Sequence, residues 1–106
     1  MRMSTARACC LAAALHFGSA AAFAQDVVAG KAVATAWCSN CHNTGAAGAP
    51  SAREAPPTFR SIAQMKSTTE ASLAAFLTTP HGRMPNLALS RAEIRDVSAY
   101  ILSLRQ

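Results

Sequence analysis

The side chains with the greatest chemical potential lie together in one short stretch, Cys38-Ser39-Asn40-Cys41-His42. It carries two thiols three positions apart, and an imidazole follows the second thiol directly. Four kinds of site use such a pattern: a redox-active dithiol, a zinc centre, a structural disulfide and an attachment point for haem. The surrounding sequence discriminates among them.

Three of the four sites fit the sequence poorly. Trp37 before Cys38 resembles the Trp-Cys-x-x-Cys motif of disulfide oxidoreductases, but that motif ends a strand in a βαβ unit, and an alanine-rich helical pattern precedes Trp37 here. Zinc usually takes four ligands, and from residue 25 onward the chain offers only His81 and carboxylates besides these three. A disulfide between Cys38 and Cys41 closes too small a loop to stabilise much. Cys-x-x-Cys-His is itself typical of covalent haem attachment, which the sequence therefore favours.

Haem attachment also suits the small hydrophobic content of the chain. Two thiols at the end of a helix can each add to one vinyl group of a protoporphyrin, and the adjacent His42 can then bind the iron through an imidazole nitrogen. From residue 25 onward the chain has 37 hydrophobic residues, and 16 of these are alanine. A chain of this size is marginally stable without an additional constraint. A bound porphyrin would supply the missing apolar volume.

The first 24 residues have the order of a secretory signal peptide. Basic residues come first, an apolar run follows at positions 8–15, and small residues lead to Ala24. The apolar run is far shorter than the roughly 20 residues that span a bilayer. We therefore expect cleavage after Ala24 and export to the periplasm. The mature chain, residues 25–106, is then a single domain without an integral membrane anchor.

Charge and length exclude several functions. The 106 residues include ten Lys and Arg against five Asp and Glu, for a formal net charge of +5. The basic residues form no run and no aromatic side chains interleave with them, so nucleic acid is not the expected partner. A chain of this length holds one domain and leaves no room for a second domain with a substrate cleft.

Helical patterns recur from residue 26 onward, and no stretch alternates like a strand. Asp26 is suited to begin a helix that runs to about Trp37 and places Val27, Gly30, Ala34 and Trp37 on one face.

Two further helices are predicted in the second half of the chain. Ser67 and Glu70 have the spacing of a capping box ahead of Leu73, Phe76 and Leu77, and Pro80 ends that segment. Ser90 and Glu93 form a second such pair, before a helix with Ile94, Val97, Ile101 and Leu104 on one face. The gap between the first two helices reads as a loop with one helical turn after it.

Residues 26–105 resemble a small bacterial class I cytochrome c, a monohaem family. The haem motif carries the resemblance, and two spacings agree with it: Gly30 lies eight residues before Cys38, and Tyr100 follows Val97 by three. In the family, a glycine and an aromatic residue at such positions let the first and last helices cross closely. The resemblance implies an all-α cytochrome c fold, with three main helices and loops wrapped around one haem c attached through Cys38 and Cys41.

The resemblance also implies the iron ligands. The Met84-Pro85 pair is similar to the axial methionine of the family, so His42 and Met84 would hold the iron from opposite sides. Met65 and His81 remain alternatives, as does an open or water-bound position. In the family a proline carbonyl accepts the other ring N–H of the histidine, and Pro56-Pro57 matches it best.

The implied function is electron transfer and not catalysis. With both axial positions filled by protein, a six-coordinate His/Met haem c exchanges only electrons as it cycles between ferric and ferrous states. The resemblance implies a monomeric periplasmic carrier that docks transiently with a dehydrogenase or reductase donor and an oxidase acceptor. The alternatives are a dedicated cytochrome c subunit of a periplasmic dehydrogenase or oxidase complex, and a gas sensor or peroxidase in which Met84 is labile.

Overall fold

The computed structural model describes residues 25–47 and 55–105, and the predicted signal peptide lies outside them. The described segments contain four α-helices, the first of which continues into a π-helical turn: α1 (Val27–Val33), the π turn (Ala34–Cys38), α2 (Phe59–Gln64), α3 (Glu70–Thr78) and α4 (Arg91–Ser103). Within these segments, strand-like pairing is limited to an isolated bridge between His81 and Met84. The predicted all-α fold is confirmed, with the short α2 added to the three main helices.

The first helix begins where the sequence predicts. The Asp26 carboxylate accepts hydrogen bonds from the backbone N–H groups of Val28 and Ala29 at 2.9 and 3.0 Å. These are two of the N–H groups that have no partner inside a helix. Asp26 therefore fixes the start of α1 as an N-cap.

The π turn changes which residues face the core. The Ser39 N–H donates to the Ala34 carbonyl at 3.1 Å, five residues back instead of four. Ala34 and Cys38 are both buried, at 0% and 5% exposure, whereas Trp37 is 52% exposed. Of the four residues predicted to share one helix face, Gly30 and Ala34 are buried, whereas Val27 and Trp37 are exposed to solvent.

The capping box of α3 lies two residues later than predicted. Thr69 is the N-cap, and it exchanges hydrogen bonds with Ser72 at 2.8 and 3.1 Å. Glu70 is the first residue of the helix, where its negative charge is favourable near the positive end of the helix dipole. The predicted pairing of Ser67 with Glu70 is wrong because Thr69 is the N-cap. The Ser72 hydroxyl accepts the reciprocal hydrogen bond that the Glu70 carboxylate was expected to accept.

The last helix agrees with its sequence pattern throughout. The Ser90 N–H donates to the Glu93 carboxylate at 2.8 Å, and the Glu93 N–H donates back to the Ser90 hydroxyl at 3.2 Å. The predicted apolar face is buried, with exposures of 8% or less at Ile94, Val97, Ile101 and Leu104. Helix α4 is therefore the helix around which the core is built.

Helix α1 crosses α4 at Gly30. A Cβ on Gly30 would overlap the Asp96 carbonyl group and would lie 2.9 Å from the Tyr100 Cβ. Only a glycine permits this approach, as the family resemblance implies. The Asp96 carboxylate also accepts the Asp26 N–H at 3.1 Å, which ties the start of α1 to the same helix.

Arg105 fastens the end of α4 to α2. Its Nε donates to the Ala63 carbonyl at 2.7 Å and its Nη2 donates to the Thr68 carbonyl at 2.6 Å. These contacts hold the turn between α2 and α3 against the last helix. In the described parts of the chain, no helix combines the length and the hydrophobicity needed to cross a bilayer.

Candidate functional site

The Cys38–His42 motif forms one tight turn at the end of the π turn. The N–H groups of Cys41 and His42 both donate to the Cys38 carbonyl, at 3.1 and 2.9 Å. The Ser39 hydroxyl donates to the Thr35 carbonyl at 2.6 Å and satisfies a carbonyl near the end of the helix. These hydrogen bonds place the three motif residues on one turn.

The two thiols differ in environment. Cys38 is 5% exposed and belongs to the core, whereas Cys41 is exposed. Burial raises the pKa of the Cys38 thiol, since desolvation disfavours the thiolate. Both cysteines are free thiols in this structure. Cys41 is therefore the more accessible of the two to an incoming reactant.

His42 is held by the loop that precedes α2. Its Nδ1 lies 2.7 Å from the Pro57 carbonyl oxygen. A carbonyl only accepts hydrogen bonds, so Nδ1 is the donor, and Nε2 makes no hydrogen bond with the described residues. The ring also packs against Phe59, with centroids 5.6 Å apart and planes inclined at 51°. The fixed orientation leaves Nε2 as a ready ligand for a metal.

The residues around His42 connect the motif to the helix crossing. Phe59 packs between the His42 ring and Tyr100, whose ring centroid is 6.4 Å away. The Tyr100 hydroxyl donates to the Thr44 carbonyl at 2.7 Å, and the Phe59 N–H donates to the Asn43 carbonyl at 2.9 Å. The loop after His42 is thus attached to α2 and to α4, directly beside Gly30.

Met84 lies in a second group of residues, on the loop between α3 and α4. It is half-buried and lines a small cavity with Phe76, Leu77, Thr79, His81, Pro85, Asn86, Leu87 and Leu89. His81, one of the alternative ligands, lines the same cavity. Met65, the other alternative, is 50% exposed at the end of α2 and is not among the residues of that cavity.

Among the described residues, no hydrogen bond or ring contact joins the Cys38–His42 turn to the Met84 loop. The three motif residues therefore lie on one turn, and the predicted fourth lies on a separate loop. Sequence reasoning missed the supporting roles of Thr44 and Arg105. Thr44 accepts through its own backbone carbonyl, and the Arg105 side chain donates to the backbone carbonyls of two distant residues. Every residue type carries a backbone carbonyl, so no pattern in the sequence identifies these contacts.

The chain is similar to known cytochromes over nearly its whole length. It is 40% identical to cytochrome c-552 of Bradyrhizobium diazoefficiens over 99 residues, which cover 93% of this chain and 94% of that protein. It is 36% identical to cytochrome c-555 of Chlorobaculum tepidum over 86 residues, which cover 76% of this chain and 79% of that protein. No solved structure matches the chain significantly. Residues 25–101 match the family described as cytochrome C oxidase, cbb3-type, subunit III, so the chain belongs to this family of c-type cytochromes and is an electron-transfer haem protein.

Proposed function

We propose that the chain is a periplasmic electron carrier with one haem c, attached through Cys38 and Cys41 and ligated by His42 and Met84. The observation that carries the proposal is the 2.7 Å contact between His42 Nδ1 and the Pro57 carbonyl oxygen. A histidine that binds a metal usually donates its other ring N–H to such an acceptor. Here the acceptor is in place and Nε2 faces no competing hydrogen bond among the described residues.

The residues present fit a covalently held haem. One turn supplies two free thiols and an oriented imidazole. The donor set therefore agrees with the group that the family binds.

The protein residues would set the redox behaviour of the site. When bound, haem c supplies a one-electron couple between ferric and ferrous iron. The Met84 thioether is a soft ligand that favours the ferrous state and raises the reduction potential. The Nδ1–H of His42 would donate to the Pro57 carbonyl in both states and hold the ring in one orientation. Because His42 and Met84 would both bind the group, they would keep water and substrates away from it, and it would exchange only electrons.

The proposed carrier role also determines how the protein should dock with its partners. A carrier must release each partner quickly, which favours a small interface over a large apolar one. The chain shows no concentrated charge that would give strong electrostatic steering. We propose transient contacts with a protein donor and a protein acceptor in the periplasm, reached after cleavage of residues 1–24.

Visible spectroscopy of two methionine variants tests the ligand set. The wild-type ferric protein should show the weak far-red absorption of an iron–thioether bond. Met84→His should abolish that band and lower the reduction potential. Met65→Leu is the matched control, because Met65 is exposed on another element, and it should keep the band. A band that survives in Met84→His would contradict the assignment.

A second function is favoured by the family to which the chain belongs. That family is described as subunit III of a cbb3-type cytochrome c oxidase, so we also consider a fixed relay inside an oxidase complex. The two roles differ in whether the chain associates stably with a large partner protein. Co-purification with a large partner at physiological salt would support the subunit role, and a monodisperse species of the size of the mature chain would support the free carrier.

A further inference from the structure

His81 is anchored in the same way as the proposed iron ligand His42. Its Nδ1 lies 2.9 Å from the Thr79 carbonyl oxygen, as the Nδ1 of His42 lies 2.7 Å from the Pro57 carbonyl oxygen. The carbonyl can only accept, so Nδ1 of His81 is the donor in this contact. Nε2 is therefore the ring nitrogen that is left to bind iron.

His81 also shares the surroundings of Met84. Both residues are half-buried and line the same small cavity on the loop between α3 and α4. The His81 ring stands edge-on to Phe76, with centroids 4.7 Å apart and planes inclined at 76°. Only two residues lie between His81 and Met84 in the chain, so a modest loop movement can exchange the thioether and the imidazole.

The segment that joins the two residues is suited to such a movement. The Met84 N–H donates to the His81 carbonyl at 3.2 Å and closes a short turn over Gly82 and Arg83, which are both exposed. Gly82 has a φ of +50°, and a Cβ placed on it would meet no atom within 4 Å. A turn with little packing rearranges more readily than a helix.

We propose that His81 is a reserve iron ligand that binds through Nε2 whenever the Met84 thioether leaves. The proposal rests on the ligand set proposed above. The exchange breaks one iron–sulfur bond and forms one iron–nitrogen bond, and it moves no electron and no proton. Two imidazoles give a lower reduction potential than an imidazole and a thioether. The exchange would therefore convert the carrier into a form that its usual donors reduce poorly.

The test uses the matured holoprotein and three variants. Met84→Ala should keep a low-spin ferric spectrum without the far-red band, and it should bind carbon monoxide slowly in the reduced state. Met84→Ala combined with His81→Ala should lose the low-spin spectrum and bind carbon monoxide rapidly. Met84→Ala combined with Lys66→Ala is the matched control. It removes an exposed amine, which is another nitrogen that can bind iron, and it should stay low-spin.

Each outcome decides one proposal. A high-spin Met84→Ala protein would overturn the reserve role of His81, and so would a low-spin spectrum in the double variant that lacks His81. If the wild-type protein itself lacks the far-red band, that result refutes the proposed ligation by His42 and Met84. It differs from a failure of the reserve role of His81, which the Met84→Ala variants decide.

A second measurement does not require the Met84 variants. Mild denaturant should remove the far-red band of the wild-type protein before the helices unfold, and the ferric spectrum should remain low-spin. The single variant His81→Ala should become high-spin over the same range. The same spectrum for both proteins would contradict the inference.

Discussion

Replacing Gly30 with alanine tests the close helix crossing on which the site depends. The new Cβ would overlap the Asp96 carbonyl group and lie 2.9 Å from the Tyr100 Cβ, so the obstacle is backbone and cannot rotate away. Overpacking of a core costs at most about 3 kcal/mol in typical cases. Alanine regains about 1 kcal/mol from its higher helix propensity. We expect a net loss of about 2 kcal/mol, or about 30-fold in the folding equilibrium constant.

Equilibrium unfolding of the holoprotein in denaturant, followed by far-UV circular dichroism, measures this loss. Gly45→Ala is the control, since its Cβ would meet Asn43 Oδ1 at an ordinary 3.5 Å. The control should unfold at the wild-type midpoint, and Gly30→Ala should unfold well below it. A Gly30→Ala protein more stable than the wild type would show that helix propensity dominates and that the crossing is loose, which would refute the reasoning.

Three further perturbations test the contacts that surround the site. Tyr100→Phe removes the 2.7 Å hydrogen bond to the Thr44 carbonyl and should cost about 1 kcal/mol of unfolding free energy in denaturant titrations. Arg105→Met keeps the aliphatic stem but loses two charged hydrogen bonds to backbone carbonyls, and calorimetry should show a lower Tm from a loss of about 2 kcal/mol. Hydrogen bonds from the Ser90 backbone N–H and then its hydroxyl lower the pKa of Glu93, so this group stabilises the fold above its unfolded pKa and loses that effect as the pH falls. The stability advantage of the wild type over Glu93→Gln should therefore be full at neutral pH and shrink below about pH 4.

Local hydrogen bonding explains why the helix starts are largely predictable. Asp26 and Ser90 act through backbone N–H groups two and three residues away, so their roles follow from the immediate sequence. The cap of α3 shows the limit of this approach. Ser67, Thr68 and Thr69 are all capable N-caps, and only the packed structure selects Thr69, which pairs with Ser72.

Local sequence rules predict neither the π turn nor the second iron ligand that we propose, Met84. Cys38 is buried and Trp37 is exposed at the π turn, and a pattern with a period of 3.6 residues does not predict such a turn. The Cys38–His42 turn is predictable because its residues are adjacent in the chain. Met84 is separated from it by more than 40 residues, so its assignment comes from resemblance and stays a prediction.

Intact mass spectrometry of the chain, produced in a bacterium that attaches haem to exported c-type cytochromes, tests the central claim most directly. The account predicts a protein that begins at Gln25 and weighs its amino acids plus one haem, with neither Cys38 nor Cys41 open to alkylation. A folded, colourless protein that weighs only its amino acids, with both thiols reactive, would contradict it.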